Sequence, residues 1–181
     1  MIRLRAYKPC DAKSIVSWCD NETVFNFWGG LHFGKYPITS EIINDKYFNK
    51  NGDCAEEDNF YPVTAFDDTG AVGHFIMRYL RGDNKILRFG WVIVDSAKRG
   101  RQYGKKMIRL GLKYAFEIMG VQKVTIGVIE NNISAYKCYL SAGFRKSMDL
   151  QDSYVEINGD TYKIVELEIT KEEYYAGKDN E

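Results

Sequence analysis

The chain has 181 residues, 45% hydrophobic and 14% aromatic, enough to bury the core of one compact domain. Its 25 Lys and Arg balance 25 Asp and Glu, so no global field draws it to nucleic acid or to a membrane surface. Four scattered cysteines, two distant histidines and the lack of a signal peptide or membrane-length apolar run predict a cytoplasmic protein without a metal site.

Residues 2–6 alternate apolar and charged side chains, as a half-buried strand does. Asp11 reads as the N-cap of a helix whose apolar face is Ala12, Ile15, Val16, Trp18 and Cys19. Residues 20–38 mix aromatics with glycines, show no clean period, and are expected to form a loop that packs on the core or lines a pocket. Thr39 or Ser40 caps a second helix through Ile42, Ile43 and Tyr47, before a polar stretch at 49–59. Residues 60–66 and 71–80 are strands joined by the turn Asp67-Asp68-Thr69-Gly70, and a third strand covers 84–94.

The strand ending Trp91-Val92-Ile93-Val94 is broken by Asp95-Ser96-Ala97 and followed by Lys98-Arg99-Gly100-Arg101-Gln102-Tyr103-Gly104-Lys105-Lys106. A helix then carries Met107, Ile108, Gly111, Tyr114, Ala115 and Ile118 at helical spacing and ends at Gly120. The start of a helix leaves backbone N–H groups unpaired at the positive end of the dipole, and glycines let a ligand approach the main chain. A pyrophosphate fits such a mouth at residues 100–105, although a basic turn is also a common solvated face. Another strand covers 123–129, and Asn132 reads as the cap of a short helix on which Ala135 and Tyr139 share its face. Alone, Tyr139 reads as a core tyrosine. A final hairpin turns at Asn158-Gly159-Asp160, before a polar tail from residue 171.

Two blocks together carry a family resemblance. Arg99-Gly100-Arg101-Gln102-Tyr103-Gly104 resembles the Gln/Arg-x-x-Gly-x-Gly/Ala motif of the GNAT N-acetyltransferase superfamily, with Gln102 where the first motif glycine stands. The run from Asn132 to Phe144 matches the family's Asn-x-x-Ala-x-x-x-Tyr-x-x-x-Gly-Phe pattern in full. Leu4-Arg5, Asp11-Ala12 and Trp18 look loosely like the ribosomal-protein N-terminal acetyltransferase branch.

The resemblance implies a single α+β domain over residues 1–170 and a tail at 171–181. Its mixed, mostly antiparallel sheet of about seven strands and about four helices splays where the fourth and fifth strands part. It further implies transfer of an acetyl group from acetyl-CoA to the primary amine of a small molecule or protein N-terminus, without a metal, and is compatible with a homodimer. By resemblance, the backbone of Val92 and Val94 pairs with the pantetheine as with an added strand. Arg99, Gly100, Arg101, Gln102, Tyr103, Gly104 and Lys105 hold the pyrophosphate, Asn132 reaches the pantetheine arm, and Tyr139 is the general acid.

Many relatives carry a glutamate before the splay, but Leu87-Arg88-Phe89-Gly90-Trp91 offers no carboxylate. Glu130, Asp95 and Glu22 read as solvated charges, which leaves a water chain as the route for the amine's proton. A silent acyl-CoA-binding sensor is the alternative of a different class. A nucleotide or dinucleotide binder is opposed by the missing acidic ribose reader.

Overall fold

A computed structural model describes residues 1–178. The sequence order is β1 (Arg3–Ala6), α1 (Ala12–Trp18), α2 (Glu22–Trp28), α3 (Ser40–Asn44), β2 (Tyr61–Asp67), β3 (Gly70–Leu80), β4 (Asp83–Val94), α4 (Tyr103–Lys113), β5 (Lys123–Ile129), α5 (Ile133–Ala142), β6 (Arg145–Lys146), β7 (Ser153–Ile157), β8 (Asp160–Thr170) and α6 (Lys171–Lys178). The strands pair in the order β1-β2-β3-β4-β5-β8-β6, with β7 also on β8. The α+β class and the mixed sheet follow the expectation, with eight strands and six α-helices among the described residues. No described helix is long and apolar enough to cross a membrane.

The chain divides into two compact units, one formed by Met1–Arg78 with Gly90–Met107 and the other by Tyr79–Phe89 with the chain from Ile108 onward. In the first, β1 pairs antiparallel with β2 from Arg3↔Phe66 to Ala6↔Val63, and β2 pairs antiparallel with β3. The helices close a core of Ile15, Trp18, Phe25, Trp28, Ile43 and Tyr47. Burying these side chains removes roughly 1.5–3 kcal/mol of apolar exposure each.

Two local expectations are corrected here. Asp11 stands at the N-cap position of α1 as expected, but its side chain makes no capping bond there. Its carboxylate is buried instead, taking both guanidinium nitrogens of Arg5 at 2.6 and 2.8 Å, the Lys8 N–H at 2.9 Å and the Thr64 hydroxyl at 2.8 Å. These donors outweigh the desolvation that opposes its charge and hold its carboxyl below the usual range. Residues 20–38 are also not one loop. Asn21 accepts from the Val24 N–H at 3.0 Å and starts α2, whose Phe25 and Trp28 lie three apart and turn inward. The neighbouring glycines hid that short period.

In the second unit β4 and β5 run parallel, from Ile86↔Lys123 to Phe89↔Ile126, and β5 pairs antiparallel with β8. Asn158 and Gly159, at φ 53° and 88°, form the two-residue turn of the β7–β8 hairpin. A stripe of Ile108, Gly111, Leu112, Ala115 and Phe116 is buried along α4 and its continuation, whereas Tyr114 and Ile118, expected on that face, are exposed. The last turn, Tyr114–Ile118, is a π-helix, and the extra residue per turn rotates Phe116 inward. Lys171–Lys178, read as polar tail, form α6, where Tyr174 donates to Glu117 at 2.7 Å and stacks on Phe116.

Candidate active site

The residues singled out above fall into two groups, one in each unit. Val92, Val94 and everything from Arg99 to Lys105 belong to the first; Asn132 and Tyr139 lie at the cap and on the buried face of α5 in the second.

In the first unit the Asp95 N–H donates to the Val72 carbonyl at 3.0 Å, so this edge of β4 faces β3. Backbone groups alternate edges along a strand, and the N–H and C=O of Val92 and Val94 therefore face the opposite side. The alternation starts from a distortion, because Trp91 sits at φ 47° inside β4, a left-handed conformation that costs a bulky residue about 1–2 kcal/mol. The Trp28 indole N–H donates to the Trp91 carbonyl at 2.7 Å.

After β4 the chain turns through the basic cluster. Arg99 straps the turn down, donating from Nε to the Val94 carbonyl at 3.2 Å and from Nη2 to the Trp18 carbonyl at 2.8 Å. Gly100 has φ 75°, and a Cβ built there would meet nothing within 4 Å, so the main chain is open to a ligand. Gln102 adopts φ 63°, a left-handed conformation that glycine takes freely and that strains a residue with a Cβ. The first intrahelical bond of α4 runs from the Lys106 N–H to the Gln102 carbonyl, leaving the N–H groups of Tyr103, Gly104 and Lys105 ahead of it. Arg101 is exposed beside them. Open main chain, unpaired amides and cationic side chains fit a pyrophosphate.

Tyr103 contributes through its backbone only, because its hydroxyl donates to Asp67 at 2.9 Å. Asp67 also accepts from Lys98 Nζ at 2.9 Å and from the hydroxyl and N–H of Thr69 at 2.6 and 2.8 Å. The Thr69 hydroxyl, then Lys98, hold its carboxyl far below the usual range. The β2–β3 turn thereby anchors both ends of the glycine loop, a role that reading Asp67 as a turn residue missed.

An aromatic nest surrounds Trp91. Its ring lies parallel to Tyr47 at 5.8 Å and edge-on to Phe33 at 4.9 Å and Phe60 at 5.7 Å, and Phe33 stacks on Trp28 at 4.7 Å. Behind it the Tyr47 hydroxyl and His74 Nε2 share a 2.7 Å hydrogen bond, while His74 Nδ1 lies near the Val63 carbonyl without closing a bond of ordinary geometry. Burial pushes the imidazole down to about 3, so it is neutral at ordinary pH and too weakly basic to deprotonate an ammonium.

In the second unit Asn132 caps α5, accepting the Ala135 N–H at 3.3 Å, and Gly143 ends it at φ 111°. Tyr139 is buried against Phe144, with ring centroids 6.4 Å apart, and desolvation raises its phenol well above the ordinary value. It therefore holds its proton throughout the working range. Arg88, on the strand where a glutamate was sought, makes a bidentate pair with Glu166 at 2.7 and 2.9 Å. Gly127 leaves room for that guanidinium, as a Cβ there would stand 2.6 Å from Arg88 Nη2. Of the other carboxylates, Asp95 accepts the Ala97 N–H, Glu130 is exposed near Lys163, and Glu22 is exposed in the first turn of α2.

Residues 2–145 match the model of the acetyltransferase (GNAT) domain family. Among solved structures the chain resembles a spermidine N-acetyltransferase from Vibrio cholerae in complex with CoA and spermine, at 19% identity and a TM-score of 0.77 over 96% of this chain and 98% of that one. It also resembles an aminoglycoside acetyltransferase in complex with coenzyme A, at 16% identity and 0.73 over 98% and 99%, and the complex that adds kanamycin, at 15% and 0.73 over the same shares. At these identities the structures establish the shared fold, and the family match over most of the length makes the chain a member of the GNAT acetyltransferase domain family.

Proposed function

We propose that this protein is an N-acetyltransferase that moves an acetyl group from acetyl-CoA to the primary amine of a small molecule or a protein N-terminus. The observation that carries the reading is the start of α4: three amides ahead of the first helical donor, Lys106, open main chain at Gly100, and just upstream the edge of Val92 and Val94 that faces away from β3. The resemblance to proteins whose structures hold spermine or kanamycin favours a small-molecule amine over a protein N-terminus. The ribosomal-protein likeness of the N-terminal segment has no such support.

Bound acetyl-CoA supplies an acyl thioester, which a neutral amine attacks at the carbonyl carbon as the C–S bond breaks. Val92 and Val94 hold the pantetheine by backbone pairing, and the amides of Tyr103, Gly104 and Lys105 with Arg101 hold the pyrophosphate. Asn132 serves the arm as well as the cap. Tyr139 gives the departing sulfur its proton; burial keeps that proton in place until it is needed. Glu166 is neutralised by Arg88 and His74 is not basic, so the amine loses its proton to water. An α-amine of pKa about 8 requires little help, whereas an amine of pKa well above neutrality needs the water chain to take its proton.

The test is release of CoA thiol across polyamines, amino acids, aminoglycosides and free peptide N-termini. One class should give turnover, and Tyr139→Phe should slow it by about 100-fold or more while leaving acetyl-CoA binding intact. Binding without turnover on any amine would replace the enzyme by an acyl-CoA sensor.

A further inference from the structure

A carbonyl and the N–H that follows it belong to one planar trans peptide and point in opposite directions. Whatever fixes the Trp91 carbonyl therefore aims the Val92 N–H. In a regular strand that carbonyl would be held by a neighbouring strand, but at φ 47° it is turned out of line and accepts instead from the Trp28 indole at 2.7 Å. Trp28 comes from α2, sixty-three positions away in sequence, and is itself immobilised. It is 5% exposed and lies flat on Phe33, which in turn meets the Trp91 ring edge-on. The next residue also serves the arrangement. A Cβ on Gly29 would stand 2.8 Å from Trp91 Cδ1, so glycine there lets α2 end directly against the Trp91 ring.

We propose that Trp28 is a positioning residue for cofactor binding. Its indole N–H locks the Trp91–Val92 peptide so that the Val92 N–H stands ready to donate to the acyl-pantetheine. The inference rests on the acetyltransferase reading and assigns to a helix-end tryptophan the task of holding a strained strand in its working conformation. Without the indole donor the turned-out carbonyl, only partly buried, loses its partner, and the peptide plane is free to rotate to find water or a neighbouring N–H.

The test compares the unchanged protein with Trp28→Phe, which keeps an aromatic ring on Phe33 and removes the donor, and with Gly29→Ala, which keeps the donor and displaces the Trp91 ring. Phe116→Leu is the control that loosens a buried aromatic stack, the one on Tyr174, outside this arrangement. Acetyl-CoA affinity is measured by calorimetry, KM and kcat by thiol release, and folding by thermal melt. Trp28→Phe and Gly29→Ala should weaken acetyl-CoA binding about tenfold and raise its KM alike, with the KM for the amine unchanged. Phe116→Leu should lower the melting temperature with affinity retained.

Indole N–H resonances supply a readout that does not depend on the activity. Three tryptophans give three signals, and the one lost in Trp28→Phe should exchange slowest with solvent in the unchanged protein. Equal affinity in Trp28→Phe, or a rapidly exchanging Trp28 signal, would overturn the positioning role while the acetyltransferase reading stands. Failure of the unchanged protein to bind acetyl-CoA overturns that reading instead, and this role with it.

Discussion

At Gln102 two demands on one residue collide. The loop needs φ 63°, which glycine adopts freely, yet the side chain present has a Cβ that resists it. Gln102→Gly should remove that strain and raise stability by about 0.5–1 kcal/mol, after the entropy a glycine adds to the unfolded chain is subtracted. Acetyl-CoA affinity should be unchanged or higher, and thermal melts with and without the cofactor check both. A fall in stability would mean that the glutamine side chain makes a contribution its backbone does not reveal. The motif position was readable in the sequence. That the glutamine stands in a strained left-handed conformation required the dihedral.

Between strands, the pair Arg88 and Glu166 ties β4 to β8 across β5. Neither partner can leave without stranding a charge that is mostly withdrawn from water, with side chains 19% and 9% exposed. Glu166→Ala should destabilise the protein by about 3 kcal/mol, read as a shift in the urea midpoint with the slope unchanged. At this scale the sequence was informative where one period ran long enough to be unambiguous. The range of β5 and the two terminal hairpin strands were legible from apolar runs and turn chemistry, and α5 from its cap. It was uninformative where elements are one or two turns long, as in α2, or where a π-turn shifts the inward face, as at Tyr114 and Ile118. The candidate site divided in the same way. Gly100 and Tyr139 could be named because motif spacing marks them, whereas Trp28, Asp67 and Glu166 act through partners 63, 36 and 78 positions away, separations no local pattern encodes.

For the molecule as a whole, acid sensitivity should begin well before the carboxylates titrate. His74 is buried with its pKa lowered to about 3, so below the unfolded value near 6.5 the unfolded chain takes up a proton that the fold refuses. The fold loses stability as pH falls from about 6.5 towards 3, at up to about 1.4 kcal/mol per pH unit. His32, lowered by burial, adds a smaller contribution of the same sign. Asp11, Asp67 and Glu168, whose carboxyls are held low, contribute stability that is full above about pH 4 and lost only below it. Melts of His74→Gln should therefore be much flatter between pH 6.5 and 5 than those of the unchanged protein, with the steep loss below pH 4 retained. Parallel profiles in the upper window would exclude His74 as the cause. A different constraint follows from the first strand pairing with β2, Arg3 against Phe66. During synthesis, at roughly 5–20 residues per second, those four residues leave the ribosome seconds before any partner exists. A bare strand in that interval is a template for the wrong neighbour, and the charges of Arg3 and Arg5 let the nascent chain wait for the right one.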